Sequence, residues 1–337
     1  MALKVDGVIG GELAGIPDAA KALEAAGYDG ALSAETSHDP LLPLALAAEH
    51  TEKLQLGTGI TVAFARTPMT LAYTARDLQV LSKGRLLLGL GSQIKPHIEK
   101  RFAMPWSHPA PRMREFILAL RAVWDCWDND TPLKFEGEFY RHTLMTPFFH
   151  PGRNPYGPPK VLLAAVGEHM TEVAGEVADG MLVHPFTNER YLREVTLPAI
   201  ERGAAKAGAS RKDRELQLPV FVVTGRDENE KEKAATAVRQ QIAFYGSTPA
   251  YRGVLAVHGW GDLQPELNRL SKQGEWQKMG DAVDDEILHT FAVVAEPDAV
   301  ATAIRKRWEG LVERVSFYIP YAIDEKETTA FVTALQA

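Results

Sequence analysis

The chain has 337 residues, 45% of them hydrophobic, and a formal net charge of -7; that is ample apolar content for a full core, and the wrong sign for holding nucleic acid by phosphate neutralisation. Its longest apolar runs fall far short of the roughly 20 residues of a membrane helix, and the single cysteine, Cys126, excludes an internal disulfide framework or a cysteine-rich zinc site. The N-terminus reads straight into a strand without a signal-peptide pattern, so a cytoplasmic protein with no membrane span is expected.

Apolar β-like runs alternate with longer helical patterns. The first run, Leu3–Val8, precedes Ile16, Ala20 and Leu23 at helical spacing, bracketed by Pro17 and Gly27. The second, Gly30–Ala34, leads into Glu35-Thr36-Ser37-His38-Asp39-Pro40. Gln55–Val62 carries Gly57 and Gly59, which read as a bulge, a close approach to a ligand, or a plain core strand. Thr67 can then cap a helix opened by Pro68, with Leu71, Ala75, Leu78 and Leu81 recurring along it and Gly84 closing it.

Further runs are Arg85–Leu90, Lys160–Val166, Gly180–His184, Leu216–Val223 and Arg314–Ile319. Most are continuously apolar, as strands covered on both faces should be. Eight such units in a chain longer than the roughly 250 residues typical of the fold predict an α/β TIM (β/α)8 barrel. Its insertions fall after strand four, at 92–160 around one helix, and before strand eight, at 246–313 as a helical excursion. A doubly wound sheet is the alternative; no linker divides the chain, so one domain over 1–337 is expected. Cys126, within Val123-Trp-Asp-Cys-Trp127, reads as a packed core thiol.

A barrel works at the C-terminal ends of its strands. The candidates there are Glu35, Thr36, Ser37 and His38; Thr58, Gly59, Thr61 and Arg66; Ser92, Gln93, Lys95 and His97; Gly167, Glu168 and His169; and His184. Four histidines raise a metallohydrolase, but neither Val5-Asp-Gly-Val-Ile9 nor Tyr318-Ile-Pro-Tyr321 supplies ligands, so no catalytic metal is expected. A Gly-x-Ser-x-Gly elbow is lacking, and Gly89-Leu-Gly91 lacks the third glycine of a dinucleotide fingerprint. At Val166-Gly167-Glu168 a strand passes directly into a helix, which is either an ordinary turn or a phosphate cradle of unpaired N–H groups.

Taken in order, several motifs resemble the luciferase-like monooxygenase superfamily, specifically its oxidoreductases that use the deazaflavin coenzyme F420. They are Ala34-Glu-Thr-Ser-His-Asp-Pro40, Leu56-Gly-Thr-Gly-Ile-Thr-Val-Ala-Phe-Ala-Arg-Thr-Pro68 and Leu81-Ser-Lys-Gly-Arg-Leu-Leu-Leu-Gly-Leu-Gly91, then Val161-Leu-Leu-Ala-Ala-Val-Gly167, Ala178-Asp-Gly180, Phe244-Tyr-Gly-Ser-Thr-Pro249 and Phe291-Ala-Val-Val294. The resemblance implies a barrel with the coenzyme at its mouth and hydride transfer between the deazaflavin C5 and a small organic substrate. It places a bulge with a non-proline cis peptide at Gly59-Ile60. Gly91, Ser92 and Gln93 would line the ring pocket, and Ala165, Val166, Gly167 and Glu168 would meet the phosphate, with Thr36, Thr61 and His169 completing the coenzyme-contacting set.

Several relatives carry an acid and then a histidine directly after strand two. Here Glu35 is followed by Thr36, and the histidine arrives at His38; Ile94 stands where some relatives have a glutamate. The expectation is that His38 faces the coenzyme and exchanges the accompanying proton, with Glu35 orienting it or acting in its place; otherwise Glu35 caps local backbone and His38 is structural. Rival readings are a reduced-FMN-dependent monooxygenase and a catalytically silent relative. Phe102, Trp106 and Tyr140 in the long insert would suit a carbonyl or alkene with apolar parts, or serve as core or lid residues. A homodimer is expected from the resemblance.

Overall fold

A computed structural model describes residues 3–337. Eight parallel strands close into a barrel: β1 (Lys4–Val8), β2 (Gly30–Ala34), β3 (Gln55–Val62), β4 (Leu86–Gly91), β5 (Lys160–Ala165), β6 (Gly180–Val183), β7 (Glu215–Val223) and β8 (Arg314–Tyr318). Each pairs with its neighbours in that order, β8 pairs β1, and the barrel prediction holds over the doubly wound one. Strand ends differ from the sequence reading by about one residue, because fraying ends lack a ladder partner.

Helix punctuation also holds. Thr67 Oγ1 accepts the Thr70 N–H at 3.2 Å, Pro68 opens the helix Pro68–Leu81, and Gly84 adopts a φ of +88° after it. Leu71, Ala75 and Leu78 are buried on its barrel face, whereas Leu81 in the last turn is exposed.

Both insertions hold more than was read. Residues 92–160 contain two helices, Lys95–Lys100 and Pro109–Asn129, and a small hairpin pairing Phe135–Glu136 with Arg141–His142. The second insertion is helical apart from a short strand, Ala292–Val294, which runs parallel to Phe221–Val223 of β7 and is followed by a last helix, Val300–Trp308. On that side β6 pairs only with Glu215–Gln217 of β7, so Ala292–Val294 occupies the upper part of the seam.

Strand alternation sends every second side chain into the barrel. At the N-terminal end this brings Asp6 and Arg314 together, both fully buried, with Glu215 also accepting from Arg314. A middle layer is apolar, with Leu87, Leu162 and Leu182 in contact. Burial raises the Glu215 carboxyl, but the Lys4 hydrogen bond and the Arg314 charge outweigh it and hold the group at about 2. A folded-state value below the unfolded one stabilises above about pH 4.5 and is lost as pH falls towards 2. Asp6 runs the other way, raised by burial against the pull of Arg314. Urea melts between pH 7 and 3 are therefore expected to show a falling midpoint that is shallower in Glu215→Gln; parallel profiles would refute the assignment.

Candidate active site

The C-terminal end of the barrel is built differently from its base. The inner ends of β1 to β4 present Val8, Ala34, Ile60 and Gly91, which form a small apolar shelf. Val8 is 68% exposed and Ala34 is exposed too, although both stand on barrel strands. A Cβ on Gly91 would lie 2.8 Å from Ile60 Cδ1, and one on Gly59 would lie 3.4 Å from Ala34 Cβ, so glycine keeps the shelf low.

The bulge in β3 is present. Ser33 pairs with Thr58 and Ala34 with Ile60, leaving Gly59 as the extra residue, and pairing with β4 is interrupted between Gly57 and Thr61. The cis peptide expected at Gly59-Ile60 is not: every peptide bond among the described residues is trans. The extra residue alone takes up the bend. Thr61 is buried, its Oγ1 without a partner among the described residues. Beyond β4, Ser92 Oγ donates to Gln93 O at 3.1 Å, and Gln93 adopts a φ of +59°, a region sparsely used by side-chain-bearing residues. Its Oε1 accepts the Ile94 N–H at 3.0 Å, which turns the amide nitrogen outward from that bond.

After β5, the helix Glu168–Val177 starts at Gly167 with no side chain capping its first N–H groups. A Cβ at Gly167 would meet nothing within 4 Å, so an oxyanion could approach closely. Tyr191 Oη donates to Val166 O at 3.1 Å and fixes the peptide leading into the helix. Ala165 is buried on the strand, while Glu168 and His169 are exposed. Glu168, which would repel an anion, pairs with Arg202 at 2.9 Å.

Glu35 is buried, and one of its carboxylate oxygens is held by two donors. Its Oε2 accepts the Val62 N–H and Arg66 Nη1, each at 2.7 Å, while Arg66 Nη2 reaches Asp39 Oδ2 at 3.1 Å. Asp39 Oδ1 in turn accepts the Leu41 N–H at 2.8 Å. This chain of charges ties the end of β3 to the loop after β2. Thr36 is exposed and its carbonyl accepts from Arg101 at 2.6 Å. His38 is exposed on the same loop, and no hydrogen bond joins it to Glu35 among the described residues.

Trp106 packs edge-on against Phe64 at 5.7 Å, and Tyr140 against Phe116 at 5.5 Å with its hydroxyl accepting from Arg112. Trp106 thus ties the insertion to the segment after β3, and Tyr140 packs on the insertion's own helix Pro109–Asn129. The sequence reading named His184 at a strand end but passed over its companions in a second wall, Tyr318 at the inner end of β8 and Tyr245 and Tyr251 from the insertion, backed by the buried Phe221 of β7. The signal was available: alternation along each strand puts all three strand-end residues inward.

A protein-family model described as luciferase-like monooxygenase matches residues 4–314. A protein of Mycobacterium tuberculosis H37Rv is 61% identical over 93% of this chain and 92% of its own length. A 5,10-methylenetetrahydromethanopterin reductase of Archaeoglobus fulgidus is 27% identical over 86% and 84%, respectively. Among solved structures, the coenzyme F420 dependent tetrahydromethanopterin reductase from Methanopyrus kandleri superposes with a TM-score of 0.78 at 22% identity, covering 99% of this chain and 97% of that one. The barrel with its insertions thus has a known architecture, and the chain is a member of the luciferase-like monooxygenase family.

Proposed function

We propose that the protein is an oxidoreductase that uses coenzyme F420 to exchange a hydride with a small organic substrate. The observation that carries this reading is the uncovered apolar shelf beside an uncapped helix N-terminus. A flat ring would cover Val8 and Ala34, and a phosphate would meet the backbone at Gly167 to Met170. The choice of deazaflavin is supported by the relatives, one of whose structures is named for F420.

When bound, the coenzyme supplies a ring carbon that carries or accepts the hydride. The chain's own residues do the remainder. Ile60, with Gly59, Gly91 and Ser92 around it, supports the ring, while Gln93, Thr36 and Thr61 border it. Ala165, Val166, Gly167, Glu168 and His169 form the phosphate turn. His38 exchanges the accompanying proton at its imidazole, which has no competing partner among the described residues. Glu35, held by the Val62 N–H and Arg66, fixes the strand end from which the His38 loop departs.

Fluorescence titrations with F420 and FMN test this. F420 is expected to bind and FMN to bind far more weakly. Preference for FMN would make the protein a flavin monooxygenase, and binding of neither a silent relative. With a ketone that is turned over, His38→Ala is expected to slow reduction roughly 100-fold while F420 affinity is kept. Full turnover in both His38→Ala and Glu35→Gln would remove the assignment.

A further inference from the structure

The wall opposite the shelf differs from the rest of the mouth. Tyr245 meets His184 edge-to-face and Tyr251 packs on it at a tilt, each with ring centroids 4.7 Å away. Phe221 lies 4.7 Å from Tyr318, whose hydroxyl is 2.8 Å from that of Tyr245. His184, Tyr245, Tyr251 and Tyr318 thus form one partly exposed aromatic surface, with the fully buried Phe221 packed against Tyr318.

His184 has a defined hydrogen-bonding state within it. Its Nδ1 accepts the Phe186 N–H at 3.0 Å, which places the ring proton on Nε2. Nε2 has no partner among the described residues, and neither has the Tyr251 hydroxyl. Burial alone, with no charged neighbour, holds the imidazole down to about 4, so the ring is neutral at physiological pH.

We propose that His184 is the hydrogen-bond donor that orients the substrate, and that the surrounding aromatic wall restricts it to an uncharged compound bearing a carbonyl or hydroxyl oxygen on a flat apolar body. The place of the substrate opposite the shelf rests on the F420 reading; the selectivity of the wall does not. An anion would leave its charge among apolar rings, answered only by neutral donors. An ammonium group would gain from the ring faces and could donate to the Tyr251 hydroxyl, but it would meet His184 Nε2–H, which donates and cannot accept, and would give up its water to enter. A ketone satisfies the N–H and places its apolar part against the rings.

Calorimetric titration of acetophenone, benzoate and benzylamine, three probes of similar shape, into the protein with and without F420 tests this. Acetophenone is expected to bind at least tenfold tighter than either ion. His184→Phe keeps a ring and removes the donor, and should weaken acetophenone roughly tenfold, while His184→Gln, which retains an N–H, stays within about threefold of the parent. Tyr251→Leu removes one ring without touching the Phe186 bond and should weaken acetophenone by a similar factor. An ion bound as tightly as the ketone, no ketone binding, or an unchanged His184→Phe would overturn the proposal. F420 titrations of the same samples separate the two readings: F420 binding without ketone selectivity refutes this one, and ketone selectivity without F420 binding refutes only the coenzyme.

Discussion

Arg314→Met is expected to lower the unfolding free energy by about 3–5 kcal/mol, read as an earlier urea midpoint at unchanged slope. Arg314 is fully buried at the base of the barrel. Its Nε donates to Asp6 Oδ2 at 2.9 Å, and Nη1 donates to Gln55 at 2.6 Å and Glu215 at 3.1 Å. Methionine fills much of the volume but leaves Asp6 buried without its counter-charge, and the cost comes from that orphaned carboxylate rather than from lost contacts. Adding Asp6→Leu should recover part of the loss, since an ion pair replaced by apolar groups is often nearly neutral. A single variant that unfolds with the parent would show that Asp6 is neutralised in another way.

The second large effect is at the opposite end. Ala34→Trp should weaken F420 binding at least 100-fold, about 2.7 kcal/mol, with a change of less than about 0.5 kcal/mol in stability. Ala34 is exposed on the shelf, so the indole has room in the free protein. It would then occupy the space assigned to the ring. Unchanged F420 affinity by fluorescence titration would mean that the coenzyme sits elsewhere.

Strand positions were legible because a strand buried on both faces must be apolar throughout, as Leu86–Gly91 is, and turn chemistry such as Thr67-Pro68 marks its own helix. Ala292–Val294 was not legible as a strand, since three residues after a helix carry too little pattern. Around the site, the sequence indicated which residues stand at strand ends but not what they touch. Glu35 finds Val62 and Arg66, which lie 27 and 31 residues away, only after β2 and β3 are side by side. The aromatic wall draws on residues from 184 to 318, and only the inward parity of three strands unites them. Conversely, the cis bond came from the resemblance alone and had no support in this chain's own bulge.

The short strand Ala292–Val294 has a consequence beyond the site. Above Gln217 the seam-side edge of β7 has lost β6, and its N–H and C=O groups at Phe221 to Val223 are taken up by this strand instead. An uncovered strand edge is a template for joining other chains. The second insertion therefore closes an edge of the barrel, and a chain without it would need another device there, such as a lysine, a proline or a bulge, to keep that edge from pairing with other chains.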